Sequence, residues 1–533
     1  MSSSSNSNNT LRLVLWSIIM LLIGSVVTRT LDNRRERLSQ IETGHGWDKI
    51  KLVLQQIEQN YVDTIDYDKV TEDLLPLILG ELDPHSVYLP PKNLKEANAE
   101  LEGNFDGIGV TFNVPEDTAI IISVVAGGPS ERAGLLSGDR IMAVDGKPVA
   151  GVRINQDSLV GMLKGVSGSV VHLDIMRDEE MVEFDVTRDK IPVKSIDVAY
   201  MIDDTTGYMK LSKFTRTSYD EFSDALPALQ DAGMTKLVFD LRDNTGGYLD
   251  QALLLSNEFL AEGSLIVYME GAHRPRQNFY ADGSGKCQGM QLTVLVNENS
   301  ASSSEIFAGA MQDNDRGLIY GRRTYGKGMV QEPIFFSDNS GIRLTVARFY
   351  TATGRCIQKP YTPGDGLGYV YDIYERYEHG EMTNADSIIR NDSLRYVTPK
   401  GKVVYGGGGI IPDVFVPVDT TGVTDLLVRI NRQALTVKYS SEVADKYRSS
   451  LRQVNTLDEL YALLDSMDLE TGFLSYLSRC GVTVDRRQWA VSGDIVLVQL
   501  RALVGRYSPL DDRAFYPIIA AIDNVIQAAV TPQ

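Results

Sequence analysis

The stretch Asn299-Ser-Ala-Ser-Ser-Ser-Glu-Ile306 sets a run of hydroxyl side chains between a strand-like segment, Leu292-Thr-Val-Leu-Val296, and a helical pattern at Ile306, Phe307, Ala310 and Met311. A serine at such a turn sits where backbone N–H groups point outward and can hold an oxyanion. A hydroxyl needs a base before it can attack a carbonyl. None of the five histidines (His45, His85, His172, His273, His379) lies nearby in sequence. Lys327, between the glycines of Thr324-Tyr-Gly-Lys-Gly328, is the available substitute, because a desolvated lysine can act as a general base. A serine run before a helix is usually an N-cap, and Gly-Lys-Gly is usually a solvated turn. Their order along the chain, with the blocks upstream, points to Ser–Lys chemistry.

The elements that would position these groups are legible upstream. Lys236-Leu-Val-Phe-Asp-Leu-Arg242 reads as a buried strand, and Leu249 onward (Ala252, Leu253, Leu254, Phe259) has helical period. Gly246-Gly247 between them allows close approach of backbone to a ligand. Neither a phosphate-loop pattern nor a dinucleotide glycine triplet is present there. Asp240, Arg242 and Asp243 read as turn and ion-pair residues. Between Gly103 and about Lys190 come short β-rich runs, Ile120-Ile-Ile-Ser-Val-Val125 and Val170-Val-His-Leu-Asp-Ile175. The block from Pro129 to Gly146, with Gly138-Asp-Arg-Ile141, resembles the short helix and strand of a PDZ domain. Such domains add a peptide strand to a sheet edge and hold its terminal carboxylate in backbone amides. Here those amides would come from Gly107, Ile108, Gly109 and Val110.

Four blocks in order carry a wider resemblance: Leu82-Asp-Pro-His-Ser-Val-Tyr-Leu89, Gly134–Ile141, Val238-Phe-Asp-Leu-Arg-Asp-Asn-Thr-Gly-Gly247, and the region from Asn299 to Gln331. With Gly408-Gly-Ile-Ile-Pro-Asp413 they make residues 40–420 similar to the carboxyl-terminal processing (tail-specific) serine proteases. The resemblance implies Ser302 as nucleophile, three residues before Glu305, and Lys327, 25 positions further on, as base. It implies Gln331 as the residue that orients the lysine. The family usually has alanine where this chain has Ser303, which leaves the nucleophile open among Ser300, Ser302, Ser303 and Ser304. The oxyanion would be held by the Ser303 N–H and a glycine N–H from Gly246-Gly247. A working Lys327 must be depressed from about 10.4 toward about 7–8 by burial. Gln331 orients it without adding a charge that would oppose this. Glu305, in the first helical turn, reads as a structural or dipole residue, and His85 as part of a turn set by Asp83 and Pro84.

Composition bounds the remainder. A chain of 533 residues suggests three or four domains. A net charge of −19 argues against nucleic-acid binding. Cys287, Cys356 and Cys480 are too few and scattered for a disulfide framework, and no cluster has metal-ligand spacing. The expected chemistry needs no metal or cofactor.

The apolar run Leu13–Thr28, about 24 Å as a helix, is short for a membrane span and also fits a signal-peptide apolar region. No Ala-x-Ala site follows, so an uncleaved signal-anchor is the preferred reading. Arg29, Arg34, Arg35 and Arg37 then fall on the side the positive-inside rule would keep in the cytoplasm. The resemblance instead implies a bacterial cell-envelope protein, anchored in the inner membrane with its catalytic region facing the periplasm.

The expected fold is multidomain α/β: a crotonase-like α/β protease core with an inserted β-rich PDZ domain and a helical C-terminal domain. The divisions are a tail and anchor (1–37), an N-terminal helical region (38–102), the PDZ domain (103–190), the core (191–420, with an insertion at 359–405 on the active-site rim) and the helical domain (421–533). Trp47, Ile50, Val53, Leu54, Ile57 and Tyr61 mark an amphipathic helix in the region that helps relatives dimerise, leaving a homodimer open. In the last division Thr456-Leu-Asp-Glu459 is a capping box, and Val496–Leu503 and Ile518–Val530 read as helices. The expected partners are protein substrates with exposed apolar C-terminal tails and the membrane, and in relatives the PDZ module can gate the site. Two rivals remain: an inactive PDZ scaffold or chaperone retaining the protease fold, and a crotonase-like acyl-thioester enzyme.

Overall fold

The expected anchor and amphipathic segment both form helices, α1 (Asn6–Ser39) and α2 (Gly46–Asn60). The structure is a computed structural model that describes residues 6–39, 46–115 and 117–531; residues 1–5 of the expected tail and 40–45 of the expected helical region lie outside those described. The chain divides into two units, 1–74 and 75–533, with α3 (Tyr67–Gly80) crossing the division. Within α1, Leu13–Thr30 is a window of mean hydropathy 1.9, long and apolar enough to cross a membrane. Along α2 the apolar positions follow helical period, but Trp47, Ile50 and Val53 are exposed and Tyr61 lies just beyond its end.

In the larger unit, the PDZ-like sheet has six strands: β2 (Val110–Asn113), β3 (Ala119–Val124), β4 (Arg140–Val144), β5 (Val170–Arg177) and β6 (Glu180–Thr187) pair antiparallel in that order, and the short strand Lys147–Pro148 pairs with β4 off this path. Helix α4 (Gln156–Leu163) packs Leu159 and Leu163 onto Ile121, Ile141 and Val171. β3 is apolar on both faces, the mark of a strand covered on two sides. Ala119 and Ile121 enter the PDZ core, whereas Ile120 and Ile122 join the core of the C-terminal helices.

The protease core is a six-stranded sheet in the order β7 (Ile196–Met201), β8 (Thr206–Leu211), β9 (Lys236–Asp240), β10 (Gln291–Val296), β11 (Leu318–Gly321) and Val414–Phe415. β7 runs antiparallel to β8, and the later pairs are parallel. Central parallel strands need apolar residues on both faces, and Leu237, Val238, Phe239, Val294 and Leu295 are all buried. β9 ends at Asp240, two residues short of the predicted strand, where the Asp240 carboxylate turns to pair with Arg242. Helices α5 (Leu249–Asn257) and α6 (Ser303–Asp313) follow β9 and β10. A second, antiparallel sheet sets β1 (Val87–Leu89) and β12 (Met329–Phe335) against β13 (Gly341–Thr351), bringing the Asp83–Ser86 turn beside Gln331 and Thr345.

The expected insertion contains helix α7 (Gly366–Glu378), two short 3-10 turns and the hairpin pair Arg395–Val397 and Val403–Tyr405. From Asp425 every element of the described chain to residue 531 is helical. Thr456 caps Leu457–Ser466 with Glu459 reciprocating, as its box predicts. The predicted helix Ile518–Val530 is broken by a 3-10 turn at Ala520–Ile522 into Asp512–Ile519 and α8 (Asn524–Val530). The break lets Val525, Ile526 and Ala529 pack on Val238 and Leu295 of the parallel sheet.

Candidate active site

Neighbouring parallel strands end side by side, and the carboxyl ends of such strands are where α/β sheets build sites. The turns after β9 and β10 are bonded to each other by the serine run. Ser300 Oγ donates to Leu241 O at 2.8 Å, Ser303 Oγ to Gly247 O at 2.9 Å and Ser304 Oγ to Asn244 O at 2.8 Å. Ser302 Oγ alone of these four hydroxyls makes no hydrogen bond to the facing turn among the described residues. Its backbone sits at φ 57°, ψ −116°, a region that residues with a side chain seldom occupy. A strained strand-to-helix turn of this kind pushes a serine hydroxyl out of the backbone surface.

Glu305 holds that turn and the lysine loop to one point. Fully buried, its Oε2 accepts the Ser302 N–H at 2.9 Å and the Lys327 N–H at 2.8 Å. Its Oε1 accepts the Gly326 N–H at 2.7 Å and the Thr324 hydroxyl at 2.5 Å. Burial pushes the Glu305 carboxyl up, and these donors pull it back. With its acceptor sites filled from inside, Glu305 is a structural residue, as its first-turn position suggests. The Gly408–Asp413 block closes over it: a Cβ on Gly409, at φ 83°, would lie 2.7 Å from Thr324 Oγ1 and 3.1 Å from Glu305 Oε1.

Lys327 is half-buried, and burial lowers its amine below the ordinary 10.5, helped by the like charge of Arg343 and opposed by Glu305 and Asp83. No hydrogen bond joins Lys327 Nζ to Ser302 Oγ or to Gln331. Catalytic hydrogen bonds are often loose in the absence of substrate. Gln331 instead donates its side-chain amide to the His85 carbonyl. His85 lies in the expected turn, its N–H on Asp83 Oδ1 at 2.8 Å, yet its ring faces inward. Burial and the nearby charge of Lys327 push that ring down to about 4.

The two glycines part company. Gly246 N–H donates to Asn244 Oδ1 at 2.9 Å. The N–H groups of Gly247 and Ser303 have no acceptor among the described residues. Gly246 still admits no side chain, since a Cβ there would lie 2.7 Å from Ser302 Cβ and 2.9 Å from Ser303 N. On Gly247, at φ 149°, it would meet Phe214 O at 2.0 Å.

In the PDZ-like module Gly107, Ile108, Gly109 and Val110 edge an apolar cavity of about 130 Å³ that Phe105, Phe112, Val160 and Leu163 complete. The Ile108 and Gly109 N–H groups have no acceptor among the described residues, and Gly109 has φ 75°. His172, Asp174 and Glu183 cluster on the outer side of the β5–β6 hairpin. Such a cluster is the ordinary state of an exposed polar sheet face.

Thr324 and Asn244 carry roles that no spacing announced, because their partners (Glu305 and Ile410; Gly246 and Leu211) are distant in sequence or backbone groups. The first hint of Asn244 is only its place before Gly246.

Comparison with known proteins gives matches to peptidase family S41 over residues 205–367 and to the PDZ domain over residues 107–187. The chain is 30% identical over 354 residues to the carboxy-terminal processing protease CtpA of Bacillus subtilis (strain 168), covering 66% of this chain and 75% of the relative. It is 31% identical over 363 residues to a probable CtpA-like serine protease of Staphylococcus aureus (strain N315), covering 66% and 72%. Among solved structures, the photosystem II D1 C-terminal processing protease aligns with a TM-score of 0.39 at 24% identity, over 72% of this chain and 90% of that one.

Proposed function

The chain belongs to the carboxy-terminal processing proteases of peptidase family S41, and from that premise we propose that it cleaves peptide bonds with Ser302 as nucleophile and Lys327 as base. The observation that carries this reading is the single Glu305 oxygen that accepts the backbone N–H of both residues. Ser302 Oγ attacks the scissile carbonyl, and Lys327 takes its proton and returns it to the leaving amine. Water then releases the acyl group by the same exchange in reverse. The lowered amine of Lys327 favours this role. The Gly247 and Ser303 N–H groups, free of internal partners, are suited to the oxyanion. Gln331 acts here through His85 rather than on the amine directly.

The PDZ groove, in this proposal, takes exposed apolar C-terminal tails, with the carboxylate on Ile108 and Gly109 N–H and the last side chain in the apolar cavity. The division into a helical region (38–102), a PDZ domain (103–190), a core (191–420) and a helical domain (421–533) is part of the same reading. So is an anchor in the inner membrane of a bacterial envelope, supported by the apolar window Leu13–Thr30. Alkaline carbonate should leave the chain in the membrane pellet, and protease added to spheroplasts should remove its bulk; protection would put the catalytic region on the other side.

The deciding experiment incubates the full chain with an unfolded protein carrying an apolar tail. Ser302→Ala and Lys327→Ala should each lower cleavage at least about 10³-fold, and a charged tail should slow the wild type. Cleavage that survives in Lys327→Ala removes the dyad; tail binding without cleavage in the wild type favours the scaffold.

A further inference from the structure

The insertion reaches the lysine loop from two directions. At one end Arg376 of α7 donates to Arg323 O at 2.6 Å and Thr324 O at 3.1 Å, while both Arg323 and Arg376 pair with buried Glu381. At the other, Tyr369 of α7 lies edge-on to His85, with ring centres 5.1 Å apart, and to Tyr325 at 5.9 Å. The Lys359 amine lies 4.2 Å from both tyrosine rings. Tyr369 is buried, and its hydroxyl sits between two polar side chains.

These bonds can be traced from the backbone outward. Gly328, next to Lys327, donates its N–H to Gln358 Oε1 at 2.8 Å, which fixes that amide's orientation. Gln358 Nε2 then faces Tyr369 Oη at 3.1 Å, and an amide nitrogen can only donate. Tyr369 therefore accepts there, and the same hydroxyl pairs with His85 Nε2, 2.9 Å away, with the His85 tautomer setting which of the two donates. Burial favours the neutral form of the His85 ring. The His85 carbonyl in turn receives the Gln331 amide. Because the chain itself joins Gly328 to Gln331, these bonds close a ring at the root of the Lys327 loop.

We propose that Tyr369 is a positioning residue for the catalytic lysine: its hydroxyl, supplied by the insertion, pins His85 and Gln358 and through them sets the direction of Lys327. The inference rests on Lys327 being the base. Tyr369 touches no reacting atom; it acts by holding the groups on either side of the lysine, and small misplacements of a catalytic group are costly in rate.

The test uses the full chain in detergent and a quenched-fluorescent peptide with an apolar tail, comparing wild type, Tyr369→Phe, His85→Phe, the double variant and Lys327→Ala. Tyr369→Phe deletes one oxygen and keeps the ring, so it should stay folded with an unfolding temperature lower by only a few degrees. Its kcat should fall about tenfold, the scale of one hydrogen bond, with KM within about twofold. His85→Phe should lose a similar factor, and the double variant about tenfold rather than about a hundredfold, because both changes break one link. An unchanged kcat in Tyr369→Phe, or losses that multiply in the double variant, overturns the proposal. Lys327→Ala separates the two readings: wild-type cleavage there removes the base and the positioning role with it. A dead Lys327→Ala beside an unaltered Tyr369→Phe removes the positioning role alone.

Discussion

The charge state of one amine governs the proposed chemistry, and burial and three charged groups act on it from different elements. Burial is the largest influence on Lys327; Arg343 of β13 pushes its proton off, while Glu305 of α6 and Asp83 of the turn before β1 hold it on. His85, neutral above about pH 4, adds no charge in the working range. Since the neutral lysine is the base, kcat/KM should rise with pH through the depressed Lys327 value and fall below it. Arg343→Gln removes a like charge, raises that value and should move the acidic limb to higher pH. A limb that stays put or moves down would show that another group sets it. The resemblance implied Ser302 by its distance to Glu305 and Lys327, and the structure adds the hydroxyl partners of Ser300, Ser303 and Ser304. Those partners are carbonyls of a turn about 60 residues away, as the spacing of 60 from Ser304 to Asn244 shows.

Two strand-to-helix turns make the proposed site, and the serine run bonds one to the other. The buried strand at Lys236–Asp240, the strand at Gln291–Val296 and the helices after them follow from apolar period and glycine placement alone. Their adjacency does not, because parallel pairing joins segments whose sequences carry no mark of each other. Gly246 shows the consequence. Its positive φ was predictable from a turn, but its closeness to Ser302 comes from the pairing of β9 with β10. Gly246→Ala should displace the nucleophile and cut kcat by about 10²-fold, measured against a melting curve that shifts far less than activity does. Retention of kcat would mean that the turn yields without moving Ser302.

At the scale of the molecule, the C-terminal helices join the PDZ module to the protease sheet. Ile120 and Ile122 of β3 enter their core on one side, and α8 covers Val238 and Leu295 on the other. A polar clasp reinforces the first contact. Arg448 donates to Gly138 O at 2.7 Å, Asp445 Oδ1 at 2.9 Å and Asp178 Oδ1 at 2.9 Å, and Arg140 pairs with Asp445. Arg448→Ala should weaken this docking by about 2 kcal/mol, the worth of a mostly buried charged donor. Amide exchange in Ala119–Val124 should then quicken by roughly 30-fold while the parallel sheet stays protected. Equal quickening in both would mean the helices support the whole unit rather than the PDZ contact.

The sequence by itself determined the family, the PDZ block ahead of the protease block and the strand character of Ile120–Val125. These rest on local pattern: residue type, spacing and period. Only the tertiary structure decided that Glu305 serves Ser302 and Lys327 at once, that Gly247 rather than Gly246 keeps a free N–H, and that Gln331 reaches His85 instead of the amine. Hydrogen-bond partners are chosen by distance and direction in space. A buried donor or acceptor takes whichever group the packing brings within reach, and sequence spacing does not encode that neighbour.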